Sequence, residues 1–600
     1  MKYLKFFLIA FFPVTISYSC YKSKLNQPVP GLLTEQQLAN SKGVQGLLVG
    51  AYAMLDGVSA PGSLFVPSYG SAGSNWLYGS ICGSEAYGGS IYGDQPQVTK
   101  IERFNGSSSP ADYFFDQKWA AVYEGVQRAN STLRLMRQAK DMSTADTIEV
   151  RGEALFLRAF YHFEAKKMWN KIPFVDETIT YNAGNYHVVN DTTWKHIEND
   201  LIYAMNNLRP NQVTSQGTMV GRANKYAAEA LLAKAYMFEH KYDQAKLLLA
   251  DLISNGQTAG GIKYALLDNY SDNFNIATKN KAESVFAYQS SVLDGVSWGW
   301  AGNGNTGDIL NNPTGGSTGT CCGFFSPSQY LVNHFRTDPS TGLPDLDNYN
   351  NNPVKSDDGH ASSDPFTPET GTLDPRLDWT VGRRGIPYLD WGIHPGGDWV
   401  RDQDFAGPYS PKKNVFYKGQ QGQYVQDQAS AVNINFIRFA DVLLWAAEVE
   451  VEIGSLDVAE RYVNLIRGRA ANPAGFVHTY VDPANPQGGN TNTNAANYFI
   501  KTYPSGYFVS QGQAVARKAV RYERMLELAM EGHRFFDLVR WNIASHEISN
   551  YLETEQNLRN YLKGAQFIPD KNEYFPIPQD QIDLSAGPNG VPAMTQNHGY

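Results

Sequence analysis

The chain has 600 residues, of which 42% are hydrophobic, 13% aromatic and 18% charged, a composition that folds and is not disordered. Its net charge of −9 argues against nucleic-acid binding, which needs a basic face. Four cysteines are too few to build a disulfide fold, and with no CxxC among them a zinc site is not expected.

The first residues read as a targeting segment. Lys2 and Lys5 precede an apolar run from Phe6 to Ile16, and Ser19 stands before Cys20. That run is shorter than the roughly 20 apolar residues of a spanning helix. Residues 1–19 are therefore expected to be a lipoprotein signal peptide, removed before an acylated Cys20, with Lys22 and Lys24 just after it. The mature body, 20–600, is expected to hang on lipid as one domain. Of the remaining cysteines, Cys82 is left free to bridge either member of the vicinal pair Cys321 and Cys322.

Helical spacing of Leu, Val and Ala begins at about 37–56 in "QLANSKGVQGLLVGAYAMLD". A Gly-, Ser- and Tyr-rich stretch follows, "GSNWLYGSICGSEAYGGSIYGDQPQ". Two long helical patterns come next, the second stopped at Pro173, and then a helix from about Trp194 to Leu208. "LLAKAYMFEHKYDQAKLLLADLI" shares a frame with the later "LWAAEVEVEIGSLDVAERYVNLI". Ala233 matches Ala447 and Ala245 matches Ala459, small residues where paired helices approach, which is the tetratricopeptide-repeat pattern. The predicted fold is mostly α: a tetratricopeptide-repeat-like α-solenoid over about 37–290 and 431–545.

From about 291 to 430 helical periodicity is lost apart from a short turn near Gln329 to Phe335. Gly, Asn and Pro punctuate this stretch, yet it holds Trp298, Trp300, Tyr388, Trp391, Trp399, Tyr409 and Tyr417. An irregular segment so long and so aromatic is expected to carry function. A second irregular stretch lies at about 471–513, and the C-terminal segment, about 546–600, is also read as irregular.

Catalytic motifs are missing. "GNGNTG", Gly302 to Gly307, fits GxGxxG by letter but has no strand before it and no helix after it. No HExxH, GxSxG or Walker sequence occurs, and spacing cannot place two carboxylates across a cleft for glycoside hydrolysis. Glu448, Glu450 and Glu452 read as a solvated helix face. In "RYERMLELAMEGHRFFDLVRW", Arg521, Glu523, Arg524 and Glu527 are spaced to pair within one helix, and Asp537 with Arg540 within the next. Gly532 separates the two helices, Phe535, Phe536 and Trp541 are expected to be buried, and the stretch reads as architecture.

The same stretch resembles the C-terminal signature of the SusD/RagB-like outer-membrane lipoproteins, through Glu523, Arg524, Glu527, Leu528, Glu531, Gly532, Arg534, Asp537, Leu538, Arg540 and Trp541. "RGEALFLRAFYHFEAKKMWNKIPFV", "IRFADVLLWAAEVE", "YFPIPQDQI" and the terminal "TQNHGY" resemble further landmarks of that family, in order. The resemblance implies a helical scaffold with the ligand site on irregular loops. It implies a surface lipoprotein of the outer membrane, facing the cell exterior, that captures oligosaccharide or polysaccharide. The ligand would pass to a partner TonB-dependent transporter, with no catalysis and no cofactor. Capture of peptides or other nutrients, or a glycan-active enzyme, is the alternative. A sugar needs aromatic faces for its C–H surfaces and polar side chains for its hydroxyls. By position, the candidates are Trp76, Tyr78, Tyr87, Trp298 and Trp300, with Asp94 and Asn303 as polar partners. No metal ligand set is expected, and with no D-x-D-x-D-G loop calcium is not predicted.

Overall fold

A computed structural model describes residues 35–57, 69–179, 192–215, 217–295, 303–314, 322–423, 425–426, 429–587 and 589–600. Helix α1, Ser41–Ala53, starts where the Asn40 side chain accepts the Gly43 N–H at 3.0 Å. Helices α2, Phe114–Met136, and α3, Thr144–Trp169, form a long hairpin. Ser143 caps α3 by accepting the Asp146 N–H at 3.1 Å, and the helix ends at Asn170 with φ 55°, three residues before Pro173. Helix α4, Thr193–Asn207, leads to α5, Lys225–Phe238, where Asn224 accepts the Ala227 N–H at 2.8 Å. Helix α6, Tyr242–Asn255, follows, and each helix from α1 to α6 packs on the next.

The chain then leaves the stack for almost two hundred residues and comes back in register. Strand β1, Ser284–Tyr288, pairs antiparallel with β2, Ile434–Arg438, from Ile434↔Tyr288 to Arg438↔Ser284, and so closes the neck of the excursion. Helix α7, Phe439–Ile453, starts directly after β2 and packs on α6. Helix α8, Leu456–Ala470, pairs with α7, and α9, Gln513–Leu528, lies across both. Ala233, Ala245, Ala447 and Ala459 are fully buried, since a methyl is all that fits where these helices approach. The fold is the mostly α, tetratricopeptide-like scaffold that the alanine spacing predicts.

The acidic and basic residues of the C-terminal stretch do not pair within their helix, contrary to the reading from spacing. Glu523 is held by Arg376 at 2.7 Å and Arg467 at 2.9 Å. Glu527 is held by Arg376 at 3.0 Å, Arg438 at 2.6 Å and Arg469. Arg524 reaches Asp441 and Asp537, and Arg521 lies over the Trp541 ring. Only the Asp537–Arg540 pair is local, at 2.8 Å. The helix i,i+4 rule describes a surface, whereas this face of α9 is buried, so its charges are met by other segments.

The three glutamates of α7 are corrected for the same reason. Glu448 is buried and binds Arg540 at 2.6 Å and the Trp541 indole N–H at 3.0 Å. Glu450 meets Lys246 at 2.9 Å, and Glu452 meets Arg517 at 2.6 Å. Phe535, Phe536 and Trp541 are buried as expected, on or just after α10, Arg534–Arg540, and α11, Ala544–Glu555, follows where an irregular tail is predicted.

Gly532 has φ 78°, and a Cβ there would lie 2.0 Å from the Ser74 carbonyl oxygen. Gly79 sits against the Gly532 carbonyl equally closely, with 1.8 Å left for a Cβ. Backbone meets backbone at this crossing, which only glycine permits. The crossing pins the Gly-rich stretch to the turn between α9 and α10, which positions the loop described next.

Candidate functional site

The loop after the Gly-rich stretch is fixed at its root. The Tyr87 N–H donates to the Ser326 carbonyl at 2.8 Å, and the Tyr87 hydroxyl donates to Glu555 Oε2 at 2.5 Å. The Gly88 N–H donates to Glu102 Oε2 at 2.6 Å, and the Phe405 ring lies directly on Gly89. Beyond that the chain emerges. Tyr92 is 86% exposed, the most exposed large hydrophobic side chain among the described residues. Its ring edge meets Phe405 at 6.5 Å between centroids, and Phe405 stacks on Tyr561 at 4.5 Å.

Beside Tyr92, Asp94 accepts from Arg401 Nη1 at 2.5 Å, and the same nitrogen donates to Ser90 Oγ at 3.1 Å. The Arg401 stem rests near Gly323 and Thr314, and the Thr314 N–H donates to the Trp399 carbonyl at 3.3 Å. Trp399 is half-buried, edge-on to Tyr388 at 5.5 Å and His394 at 5.0 Å. Four short segments, at 88–94, 310–314, 322–326 and 399–405, thus converge on one face. It offers an open aromatic ring, a half-buried indole, and a carboxylate–guanidinium pair joined through one nitrogen. Apolar rings beside fixed donors and acceptors suit a ligand with C–H faces and hydroxyl edges.

The floor under this face is unusual in its charges. Glu102 accepts from Gly88 N–H, from Tyr551 at 2.7 Å and from Tyr561 at 2.7 Å. Burial pushes its carboxyl up to about 7, against the pull of those hydrogen bonds. Burial likewise pushes Glu555 up to about 7, against the Tyr87 hydrogen bond and the Arg559 charge. Both acids are themselves buried beneath the loop. They act by holding Tyr87, Tyr551 and Tyr561 in place.

Several sequence candidates fall elsewhere. Trp76, Tyr78 and Tyr87 are core residues, not exposed stacking faces. The Trp76 indole N–H donates to the Gly307 carbonyl at 3.2 Å, and the Tyr78 hydroxyl donates to the Gly70 and Phe114 carbonyls at 2.9 Å each. Glycines among aromatics read as an open loop, but here they let the backbone pack tightly enough to bury the rings. Asp94 stands on the exposed face. Asn303 is exposed and donates to Asp294 at 2.6 Å, while its carbonyl accepts the Tyr288 hydroxyl at 3.0 Å. Trp298, Trp300 and Cys20 lie outside the described residues. Cys82 is buried and free, so no bridge runs through it, while Cys322 is disulfide-bonded. Sequence reading missed Tyr92, Phe405 and Arg401. The signal for Tyr92 was its place in "SIYGDQP", between a glycine-rich run and a proline-started helix, Pro96–Glu102. No helix among the described residues is long and apolar enough to cross a membrane.

Comparison with known proteins agrees with this architecture. Residues 282–600 match the family described as the SusD family, and residues 77–237 match one described as "Starch-binding associating with outer membrane". The chain is 22% identical to "SusD-like protein P25" of Formosa agariphila over 80% of this chain and 79% of that protein. It is 26% identical to a SusD-like protein of Bacteroides ovatus over a shorter span, 28% of this chain and 32% of that one. Among solved structures, a laminarin-binding SusD-like protein superposes with TM-score 0.64 at 20% identity, covering 94% of this chain and all of that one. Surface glycan-binding protein A from Bacteroides thetaiotaomicron gives TM-score 0.64 at 18% identity, covering 94% of this chain and 99% of that one. A family match over more than half of the sequence, on a fold shared nearly end to end, places this chain in the SusD family.

Proposed function

We propose that the protein is a non-catalytic capture lipoprotein for oligosaccharide or polysaccharide. Its signal peptide is removed, acylated Cys20 anchors it in the outer membrane facing outward, and it hands its ligand to a partner TonB-dependent transporter. The outer-membrane association in the matched family description supports the location. Glycan binding is supported by what the structural relatives are named for, laminarin and surface glycans.

The observation that carries the reading for this chain is the open Tyr92 ring beside the Asp94–Arg401 pair, on a face assembled from irregular segments. Tyr92 stacks on the sugar ring, and Asp94 and Arg401 bond its hydroxyls. Trp399 extends the surface, and Asn303, Trp298 and Trp300 are retained as further proposed contacts.

Affinity electrophoresis of the soluble protein, begun after Cys20, against a panel of polysaccharides tests this. At least one glycan class should retard the protein, Tyr92→Ala should abolish the retardation, and no cleavage products should form. Retardation by no glycan, or retardation untouched by Tyr92→Ala and by Arg401→Ala, would refute the assigned site. Released oligosaccharides would refute the non-catalytic reading.

A further inference from the structure

One end of the helical stack presents an open apolar surface. After α4 the chain lies along the start of α3, where Gln212 Nε2 donates to Glu149 Oε1 at 2.7 Å. It then turns back in a short hairpin, Val213–Thr214 against Gly217–Thr218. The turn after α6 packs beside this hairpin, and the Gln212 N–H donates to the Ala259 carbonyl at 2.7 Å. A Cβ on Gly260 would lie 3.7 Å from Val220 Cγ1, and one on Gly261 would lie 3.7 Å from Val213 Cγ2, with Ile262 next in the chain. Ile148 stands one turn before Gly152, on the face of α3 that Leu208 covers, past the end of α4. Ile148, Val213, Met219, Val220 and Ile262 are between 38% and 49% exposed.

Charge is missing from both segments. No Asp, Glu, Lys, Arg or His occurs between Arg209 and Arg222, or between Asp251 and Lys263. Of these four bounding residues, Arg209, Arg222 and Asp251 are held in ion pairs with Glu149, Glu153 and Lys225, and Lys263 is exposed. A surface without charges gives up little hydration when it is pressed into an apolar phase. The chain also enters the scaffold at this end. The Ser41 N–H, at the start of α1, donates to Asp141 Oδ1 at 2.8 Å, just before α3, and Arg222, where the hairpin exits, reaches Gln45 Oε1 at 3.2 Å. Cys20 lies 21 residues before Ser41.

We infer that this surface rests on the lipid of the outer membrane, beside the acylated Cys20. The inference rests on the lipoprotein reading and adds to it the face that meets the bilayer. The tether turns contact with the bilayer into an intramolecular event, so a patch too small to hold the protein by itself seats once the anchor is in place. Val213, Met219, Val220 and Ile262 enter the interfacial layer, and Lys263 meets headgroup phosphate. The glycan face is then turned away from the bilayer. Helix α3 has 26 residues, about 39 Å of length, and the apolar surface lies at its start. The glycan face is tied to its end, where the Phe575 N–H donates to the Met168 carbonyl at 2.9 Å from the same C-terminal segment that carries Tyr561.

The test is amide hydrogen exchange on the full-length protein purified from membranes and reconstituted in vesicles of phosphatidylethanolamine and phosphatidylglycerol, with the soluble protein begun after Cys20 as reference. On vesicles the amides of 213–220 and 258–263 should exchange about tenfold or more slowly than in the soluble protein. Val220→Asp/Ile262→Asp should abolish that difference and leave the unfolding midpoint unchanged. Leu247→Asp, on an exposed leucine of α6 outside the surface, should leave the protection intact. Equal exchange on and off vesicles, or protection that survives the double variant, overturns the inference while flotation of the protein with the vesicles leaves the anchor standing. Protection seen only when the vesicles also hold the partner transporter overturns lipid as the occupant. A full-length protein that carries no acyl group on Cys20 and does not float overturns the anchor and the inference together.

Discussion

Glu527→Gln removes one negative charge from the most heavily paired site in the protein. Five carboxylates, Glu283, Asp374, Glu523, Glu527 and Glu531, face five cations, Arg376, Lys413, Arg438, Arg467 and Arg469, in one buried network. Three guanidiniums converge on Glu527, and Arg438 Nη2 also donates to its carbonyl oxygen at 2.6 Å.

The amide that Glu527→Gln introduces would present an N–H to at least one of those guanidiniums and leave the network with an unbalanced positive charge. Breaking a buried pair costs about 3–5 kcal/mol. Here each arginine keeps another carboxylate, Arg376 with Asp374 and Glu523, Arg438 with Glu283 and Glu531, and Arg469 with Glu283. The loss should therefore fall near the lower bound, about 3 kcal/mol. Urea unfolding of the soluble protein, followed by tryptophan fluorescence and circular dichroism together, measures it, with exposed Glu553→Gln as the reference. A Glu527→Gln midpoint matching that of Glu553→Gln, each within about 0.5 kcal/mol of wild type, would refute the claim that the C-terminal signature is architecture.

Other outcomes follow from the same structure. Glu102 has its carboxyl raised from 4.5 to about 7, so its contribution to stability is complete below pH 4.5 and is lost as pH rises towards 7. Glu102→Gln should flatten that segment of the stability–pH curve by about 3 kcal/mol, and an unchanged slope in pH-dependent unfolding would count against it. Gly532→Ala should cost at least about 2 kcal/mol, because its Cβ meets the Ser74 carbonyl and its φ is positive; a melting temperature equal to wild type would contradict the crossing. Ala447→Leu should destabilise by about 1–3 kcal/mol through overpacking between α7 and its neighbours, read by the same unfolding assay. Tyr92→Ala should leave unfolding within about 0.5 kcal/mol of wild type while removing glycan retardation, which separates a binding residue from a packing one.

The scaffold was legible in local sequence. Helical periodicity, the stop at Pro173 and the alanines at 233, 245, 447 and 459 follow local rules, since helix period and small-residue contact are written within some twelve residues. The family signature was legible for the same reason, although its charges were not. Spacing assigned Glu523 and Glu527 to neighbours on their own helix, whereas burial against Arg376, Arg438, Arg467 and Arg469 gave them partners 56 to 151 residues away. The site was decided entirely by tertiary structure. Trp76, Tyr78 and Tyr87 share the composition of Tyr92, and nothing local separates the three buried rings from the exposed one. What separates them is the crossing of Gly79 with Gly532 and the covering of Gly89 by Phe405, contacts between segments more than 300 residues apart. Exposure is a property of what the rest of the chain covers, and a linear pattern of aromatic and glycine residues does not contain it.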